Sequence, residues 1–237
     1  SRGDNMKAKR FMCHTLIVLI TFTAFVLCFY RESGSLFYLS RYMPEFIIGT
    51  AVMFAAYVIS NILYVSAPVA IGLCSGYKFV YAEGFGFYIR KDTDGKITFN
   101  RKPGRITYNV YMTPPDYEKW QSVYPVYLFS RVIVFWTVSL ITFIIAVCLF
   151  VQWYYIEAFY CFCAFSWFVS SALLFTTSDK FKRISKIKNN ADLRRVCWIN
   201  EAISANLYKG IPLNEQPEEY FDVSCYENAA DAADLLW

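Results

Sequence analysis

The sequence predicts a mainly α, polytopic membrane protein. Four transmembrane helices form two hairpins, with a small cytoplasmic β-meander inserted between them and a cytoplasmic C-terminal helix and tail. Three observations carry this prediction. Of the 237 residues 57% are hydrophobic and only 18% are charged, whereas a soluble domain carries about 25%. The missing charge is concentrated in four long uncharged stretches, each near the roughly 20 residues that cross a bilayer core as a helix. Between the second and third of these lies Tyr77–Tyr124, a polar insert with eight Lys/Arg and five Asp/Glu.

Residues 1–10 form a short basic N-terminus containing Met6-Lys-Ala-Lys-Arg10. Phe11 to Tyr30 follows without a charge and is long enough to span; no small-x-small cleavage site follows it, so a transmembrane helix is expected and not a signal peptide. His14, the only histidine, falls near the start of this run and is read as a headgroup-boundary residue. Residues 11–76 make the first hairpin, with spans over about 11–30 and 46–65. The second span is rich in small residues. Gly49 and the Ala51/Ala55 small-xxx-small pair are the candidate helix–helix contacts, and Asn61 is expected to hydrogen-bond across to a neighbouring helix. Pro68 lies in the uncharged run to Tyr77, where a kink or a helix end is expected.

Within the insert, residues 77–124, aromatic and β-branched bursts (Tyr77–Tyr81, Phe85–Ile89, Lys96–Asn100, Arg105–Tyr111) alternate with turn chemistry at Glu83-Gly84, Asp92–Gly95 and Lys102–Gly104. That alternation predicts antiparallel strands joined as a meander. Gly84-Phe-Gly86 is too short for a nucleotide loop and reads as strand with close backbone packing. Pro114-Pro115-Asp-Tyr-Glu-Lys-Trp120 opens a short helix that Pro125 is expected to end. Residues 125–178 form the second hairpin, with spans over about 132–151 and 158–177. The turn between them, Gln152–Glu157, places Trp153, Tyr154 and Tyr155 in an interfacial aromatic belt.

Residues 179–237 are read as an amphipathic segment, a helix and an acidic tail. Lys180–Lys188 carries lysines suited to anionic headgroups. Leu193, Val196, Ile199, Ile203 and Leu207 recur at helical spacing, with Asn190 as N-cap and Gly210 just past the end. Asp192, Arg194, Arg195 and Glu201 keep this helix out of the bilayer, so its stripe must cover something. The β-insert of the same chain is the favoured surface, and these five apolar residues are the candidate docking face. From Ile211 onward every charged residue is acidic.

Charge placement orients the chain. With both termini and the insert cytoplasmic, the two outer connections hold only Arg31 and Arg41 among basic residues, as the positive-inside bias requires. The site chemistry that would mark an enzyme is not legible: there is one His, no HExxH, no metal-spaced Cys/His set and no phosphate-binding loop. The eight cysteines contain no CxxC pair and are read as free thiols. No catalytic, cofactor-binding or metal residue is assigned. The aromatics lie inside apolar runs and not beside basic stripes, so nucleic acid is not expected as a partner. Membrane lipids and a protein partner or second copy are.

Two spans followed by the strand Ile97-Thr-Phe-Asn-Arg-Lys102, a Gly turn and the strand Arg105-Ile-Thr-Tyr108 resemble uncharacterised Gram-negative inner-membrane proteins associated with type VI secretion effector loci. The resemblance covers about the first half of the chain and implies a non-enzymatic role such as immunity, exclusion or assembly. The alternative drawn from the residues themselves is a small channel or permease. Its path would lie between the four helices and be lined by Thr50, Asn61, Ser139, Ser170 and Ser171.

Overall fold

The computed structural model describes residues 2–35, 41–92, 94–102, 107–176 and 178–221. Its elements are α1 (Arg2–Ser33), α2 (Met43–Cys74), β1 (Lys78–Gly84), β2 (Phe87–Lys91), β3 (Ile97–Arg101), β4 (Asn109–Thr113), α3 (Tyr117–Leu128), α4 (Ser130–Val151), α5 (Tyr155–Phe175), α6 (Ser178–Asn189) and α7 (Ala191–Lys209). The expected Pro103–Gly104 turn, the start of the Arg105–Tyr111 strand and the acidic stretch from Asp222 lie outside the described residues. The chain divides into two compact units, Ser1–Leu63 with Arg131–Thr177, and Tyr64–Ser130 with Ser178–Trp237.

Among the described residues four helices are long and apolar enough to cross a membrane: Phe11–Ser33, Met43–Cys74, Ser130–Val151 and Tyr155–Phe175. The second decides against a helix end at Pro68. One helix of 32 residues runs through that proline. Proline there removes a single hydrogen bond, to the Tyr64 carbonyl, and apolar helices tolerate such a loss where neighbours re-satisfy the group. The fourth helix starts at Tyr155 and not at Ala158, so Glu157 lies exposed in its first turn and the connection shrinks to Gln152–Tyr154. Trp153 occupies the left-handed region (φ 69). Tyr154 N–H donates to Leu149 O at 2.9 Å, the wide hydrogen bond of a Schellman cap that usually carries glycine.

Packing in the membrane unit is organised by α5 more than by hairpin neighbours, and the principal neighbour of α1 is α5. Phe159 is fully buried and meets Phe25 and Phe29 edge-on at 5.6 and 5.3 Å. Phe143 of α4 approaches Phe165 at 5.1 Å. The hydroxyls are absorbed locally, as lipid surroundings demand. Thr50 donates to Phe46 O, Ser139 to Phe135 O and Ser170 to Ser166 O. Between helices, Thr21 Oγ1 and Ser166 Oγ lie 3.2 Å apart.

The second unit holds a four-stranded antiparallel sheet in the order β3-β2-β1-β4. This corrects the meander. Three strands follow one another, and the fourth returns to lie beside the first, which is Greek-key order. The β1–β2 turn is also placed differently: Gly84 pairs with Phe87, leaving Phe85-Gly86 as a two-residue loop with φ of 55 and 77. Positive φ at both central positions is the type I′ signature that matches strand twist. The β2–β3 turn sits where expected, with Gly95 at φ +85 and its N–H donating to Asp92 O at 3.0 Å. Helix α3 passes through Pro125 and ends only at Leu128, again because one lost bond does not stop a packed helix.

Candidate interaction surface

Helix α7 packs against β4 and β1, with α3 and α6 beside it. Its ends are set by the residues read from the sequence. Asn190 Oδ1 accepts the Leu193 N–H at 2.9 Å, and Gly210 takes the left-handed position at φ 92. Leu193, Val196 and Ile199 are buried. Further along, the predicted stripe departs from the observed one. Ile203 is half-buried and Leu207 is exposed, while Cys197, Ala202 and Ala205 take buried positions. Small residues face the sheet where helix and strands approach, and the adjacent space is filled by rings. Tyr208 stacks on Tyr111 at 3.8 Å and lies 4.7 Å from Tyr81.

The core below α7 contains Trp120, Tyr124, Met112, Leu193, Val196 and Ile187. Two indoles are paired here: the Trp120 N–H donates to Glu201 at 2.9 Å, and the Trp198 N–H donates to Pro115 O at 2.9 Å. The central strand carries a buried carboxylate. Glu83 accepts from Tyr81 Oη, Thr107 Oγ1 and Asn109 Nδ2, each at 2.6 Å, and from Lys102 Nζ. Burial alone would raise its pKa. The hydrogen bonds from Lys102, Thr107, Tyr81 and Asn109 outweigh burial and hold the carboxyl at about 2. Nothing in the local sequence marks this network, because three of its four donors, Lys102, Thr107 and Asn109, arrive 19 to 26 positions later.

A cleft of about 380 Å³ opens beside this core, lined by Trp120, Tyr124, Pro125, Ile184, Ile187, Lys188 and Arg194, with Gln121 completing the wall. Gln121, Lys188 and Arg194 are the polar residues of its lining. Pro125 cannot donate to the Gln121 carbonyl four residues earlier. Arg194 donates from Nη1 to Lys188 O at 2.6 Å, while its buried Nε has no hydrogen-bond partner among the described residues. The site is not legible in the sequence, where Pro125 reads as a helix end although α3 runs on to Leu128.

The helix-contact candidates separate into two faces. Gly49 is a true point of close approach: a Cβ there would lie 2.6 Å from Phe159 Cε1 and 3.0 Å from Cys163 Sγ. Ala51 and Ala55 are exposed, and Ala56 and Ser60 are buried instead. The inward stripe is therefore Gly49, Met53, Ala56 and Ser60, at spacings of four, three and four. Asn61 does not reach across; its Nδ2 donates to Tyr57 O on its own helix at 2.9 Å. Among the residues expected to line a path, Thr50, Asn61, Ser139 and Ser170 all bond to carbonyls of their own helices, and Thr50 is exposed. Comparison with protein families, with characterised proteins and with solved structures found no match.

Proposed function

We propose that the chain is a non-enzymatic, multi-pass protein of the inner (plasma) membrane that works by binding another protein, as an immunity, exclusion or assembly factor. Both termini and the sheet unit lie on the cytoplasmic side in this reading, supported by the bias of basic residues toward that side. The observation that carries the proposal is the cleft between α3, α6 and α7. Its apolar wall of Trp120, Tyr124, Ile184 and Ile187 has the volume for one or two large anchor side chains, and such anchors dominate protein interfaces. Lys188 and Arg194 at the same cleft suit a carboxylate beside the anchor.

The test is rescue of growth. Cells producing a toxin encoded beside this gene should survive when the intact chain is present, and Arg194→Glu should abolish survival at unchanged membrane levels of the protein. Survival with Arg194→Glu would remove the cleft from the mechanism. Specific solute flux through reconstituted liposomes would replace the reading with a permease. For orientation, reporter fusions after Gly95 and Asn214 should report the cytoplasm and one after Gln152 the opposite side.

A further inference from the structure

The cleft between α3, α6 and α7 has the chemistry to hold an acidic segment with apolar anchors. No Asp or Glu lines it, and its charges are Lys188 and Arg194. Glu201, which reaches the Trp120 wall, already accepts the Trp120 indole N–H at 2.9 Å and Tyr77 Oη at 3.4 Å. Arg194 gives one donor to Lys188 O at 2.6 Å, and its buried Nε has no partner among the described residues. Buried donors in folded proteins are otherwise paired, so this cleft suits an incoming acceptor.

The last described residues lie beside this cleft. After α7, buried Gln216 fixes the course of the chain: its Nε2 donates to Ile211 O at 3.1 Å, and its Oε1 accepts from Asn206 Nδ2 at 2.9 Å. The helical turn Glu218–Phe221 then sets the Tyr220 ring edge-on against Trp198 at 5.7 Å. From there rings lead to the cleft wall, Trp198 to Tyr117 at 5.9 Å and Tyr117 to Trp120 at 6.3 Å. Trp198 also stands one helical turn along α7 from Arg194. Sixteen further residues, 222–237, follow Phe221 in the sequence. An extended residue spans ~3.3–3.6 Å, so fewer than half of them cover those three ring-to-ring steps. Their chemistry complements the cleft. Asp222, Glu227, Asp231 and Asp234 stand without a basic residue, and the apolar run Leu235-Leu236-Trp237 directly follows Asp234.

We propose that segment 222–237 of this chain occupies the cleft, with Leu236 and Trp237 against its Trp120, Tyr124 and Ile187 wall and Asp234 on Arg194 and Lys188. A carboxylate there supplies the acceptor that Arg194 Nε lacks, in a charge-assisted hydrogen bond. The inference rests on reading the cleft as a protein-binding site and adds its regulation. The tail covers the apolar wall until a partner carrying a similar anchor and acid displaces it. Its tether gives it a high effective concentration, so only a well-matched partner competes.

The test is photocrosslinking in the full chain in detergent micelles, with benzoyl-phenylalanine replacing exposed Gln121 at the cleft or, separately, exposed Phe99 on β3. The same substitution at Tyr220, against Trp198, is the control for the photochemistry and should join α7. Ordinary and isotope-labelled protein are mixed before irradiation, so that joints within one chain are told from joints between two. The expected result is a within-chain adduct of position 121 with a peptide from 222–237, and none from position 99. Leu236→Ser with Trp237→Ser should lower the yield about tenfold, the effect of losing an interface anchor. Arg194→Glu should lower it comparably, and Arg194→Glu with Asp234→Arg should restore it, which a misfolded cleft would not allow. No tail adduct at 121 while 220 joins α7 would overturn the proposal, as would a tail adduct at 99 in its place. Adducts only between chains would overturn it in favour of exchange between copies, and a yield indifferent to the Leu236 and Trp237 changes would overturn the assigned anchors. The assay contains no partner, so its failure leaves the growth-rescue result standing, and a failed rescue leaves the crosslink standing.

Discussion

The two units solve the same problem, polar groups away from water, by opposite means. In the membrane unit hydroxyls such as Ser139 and Ser170 are satisfied within a turn of their own helix, with Thr21 and Ser166 meeting between helices, and cohesion comes from close approach at Gly49 and aromatic edges around Phe159. Lipid gives helices no hydrophobic reason to associate, so packing carries the contact. In the sheet unit the buried group is a full carboxylate, and its donors come from three separate segments: β1, the residue after β3, and the approach to β4. Local satisfaction makes the first unit tolerant of polar substitution. Shared satisfaction makes the second dependent on single residues.

The sharpest break should come at Glu83. Glu83→Ala removes the common acceptor of Lys102, Tyr81, Thr107 and Asn109; hydrogen bonds to a charged group contribute about 1.5–3 kcal/mol each, and Lys102, with its side chain 41% exposed, recovers part of its share from water. Limited proteolysis should show the sheet unit opening while the membrane helices keep their far-ultraviolet circular dichroism. Equal protease resistance in variant and parent would show that the network contributes nothing. The same residue sets a pH dependence. An unfolded Glu titrates near ~4.3, and the folded carboxyl is held at about 2. The folded value is the lower, so this contribution is complete above the unfolded value and is lost as pH falls through 4 toward 2. Acid should loosen the sheet unit before the helices.

Next in size is the seat of α7. Ile199 is fully buried, so Ile199→Ala should cost about 2–5 kcal/mol. Leu207→Ala, on the exposed face of the same helix, should stay within about 0.5 kcal/mol. Thermal unfolding followed by protease sensitivity of the sheet unit compares the two. Similar losses at both positions would mean that Leu207 is covered in the membrane-bound protein.

In the membrane unit the matching contrast is Gly49→Val against Ala55→Leu. The first drives a side chain into Phe159, which Phe25 and Phe29 hold in place, and overpacking of this kind costs about 1–3 kcal/mol. The second adds volume on an exposed face and should be nearly neutral. Unfolding in mixed detergent micelles, with sodium dodecyl sulfate as denaturant, reads both.

These contrasts show where sequence reading worked and where it stopped. The four long apolar helices were legible because a bilayer demands a long apolar run and the sequence has four such stretches. The caps of α7 were legible because Asn190 and Gly210 act on backbone groups within a few residues. Strand order was not. Alternation assigns each residue a face but does not say whether β4 returns beside β3 or beside β1, and here the Glu83–Asn109 hydrogen bond lies along the β1–β4 pairing. Phe85 escaped notice as a turn residue because phenylalanine at positive φ runs against turn chemistry. Leu207 looked like a core residue by spacing alone, but the space against the sheet admits Ala202 and Ala205. The cleft beside Pro125 needed the third dimension, because its walls come from segments about 60 residues apart.

The smallest expected effect isolates backbone from packing. Gly95 lies at φ +85 with no atom within 4 Å of where a Cβ would stand, whereas a Cβ on Gly210, at φ +92, would come 2.9 Å from Arg90 Nη2. A side chain at Gly95 therefore meets only the steric cost of the left-handed region, about 1–2 kcal/mol for a β-branched residue. Gly95→Val should weaken the sheet unit by about that much, and Gly95→Asn should recover most of it, since Asn tolerates this conformation. Gly210→Ala adds displacement of the arginine that donates to Lys209 O at 2.9 Å, so it should cost more than Gly95→Ala although the two φ values are nearly equal. Pulse proteolysis of the four variants in the same micelles ranks them. If Gly95→Ala and Gly210→Ala prove equal, the Arg90 contact contributes nothing, and the difference between the two turns is one of backbone alone.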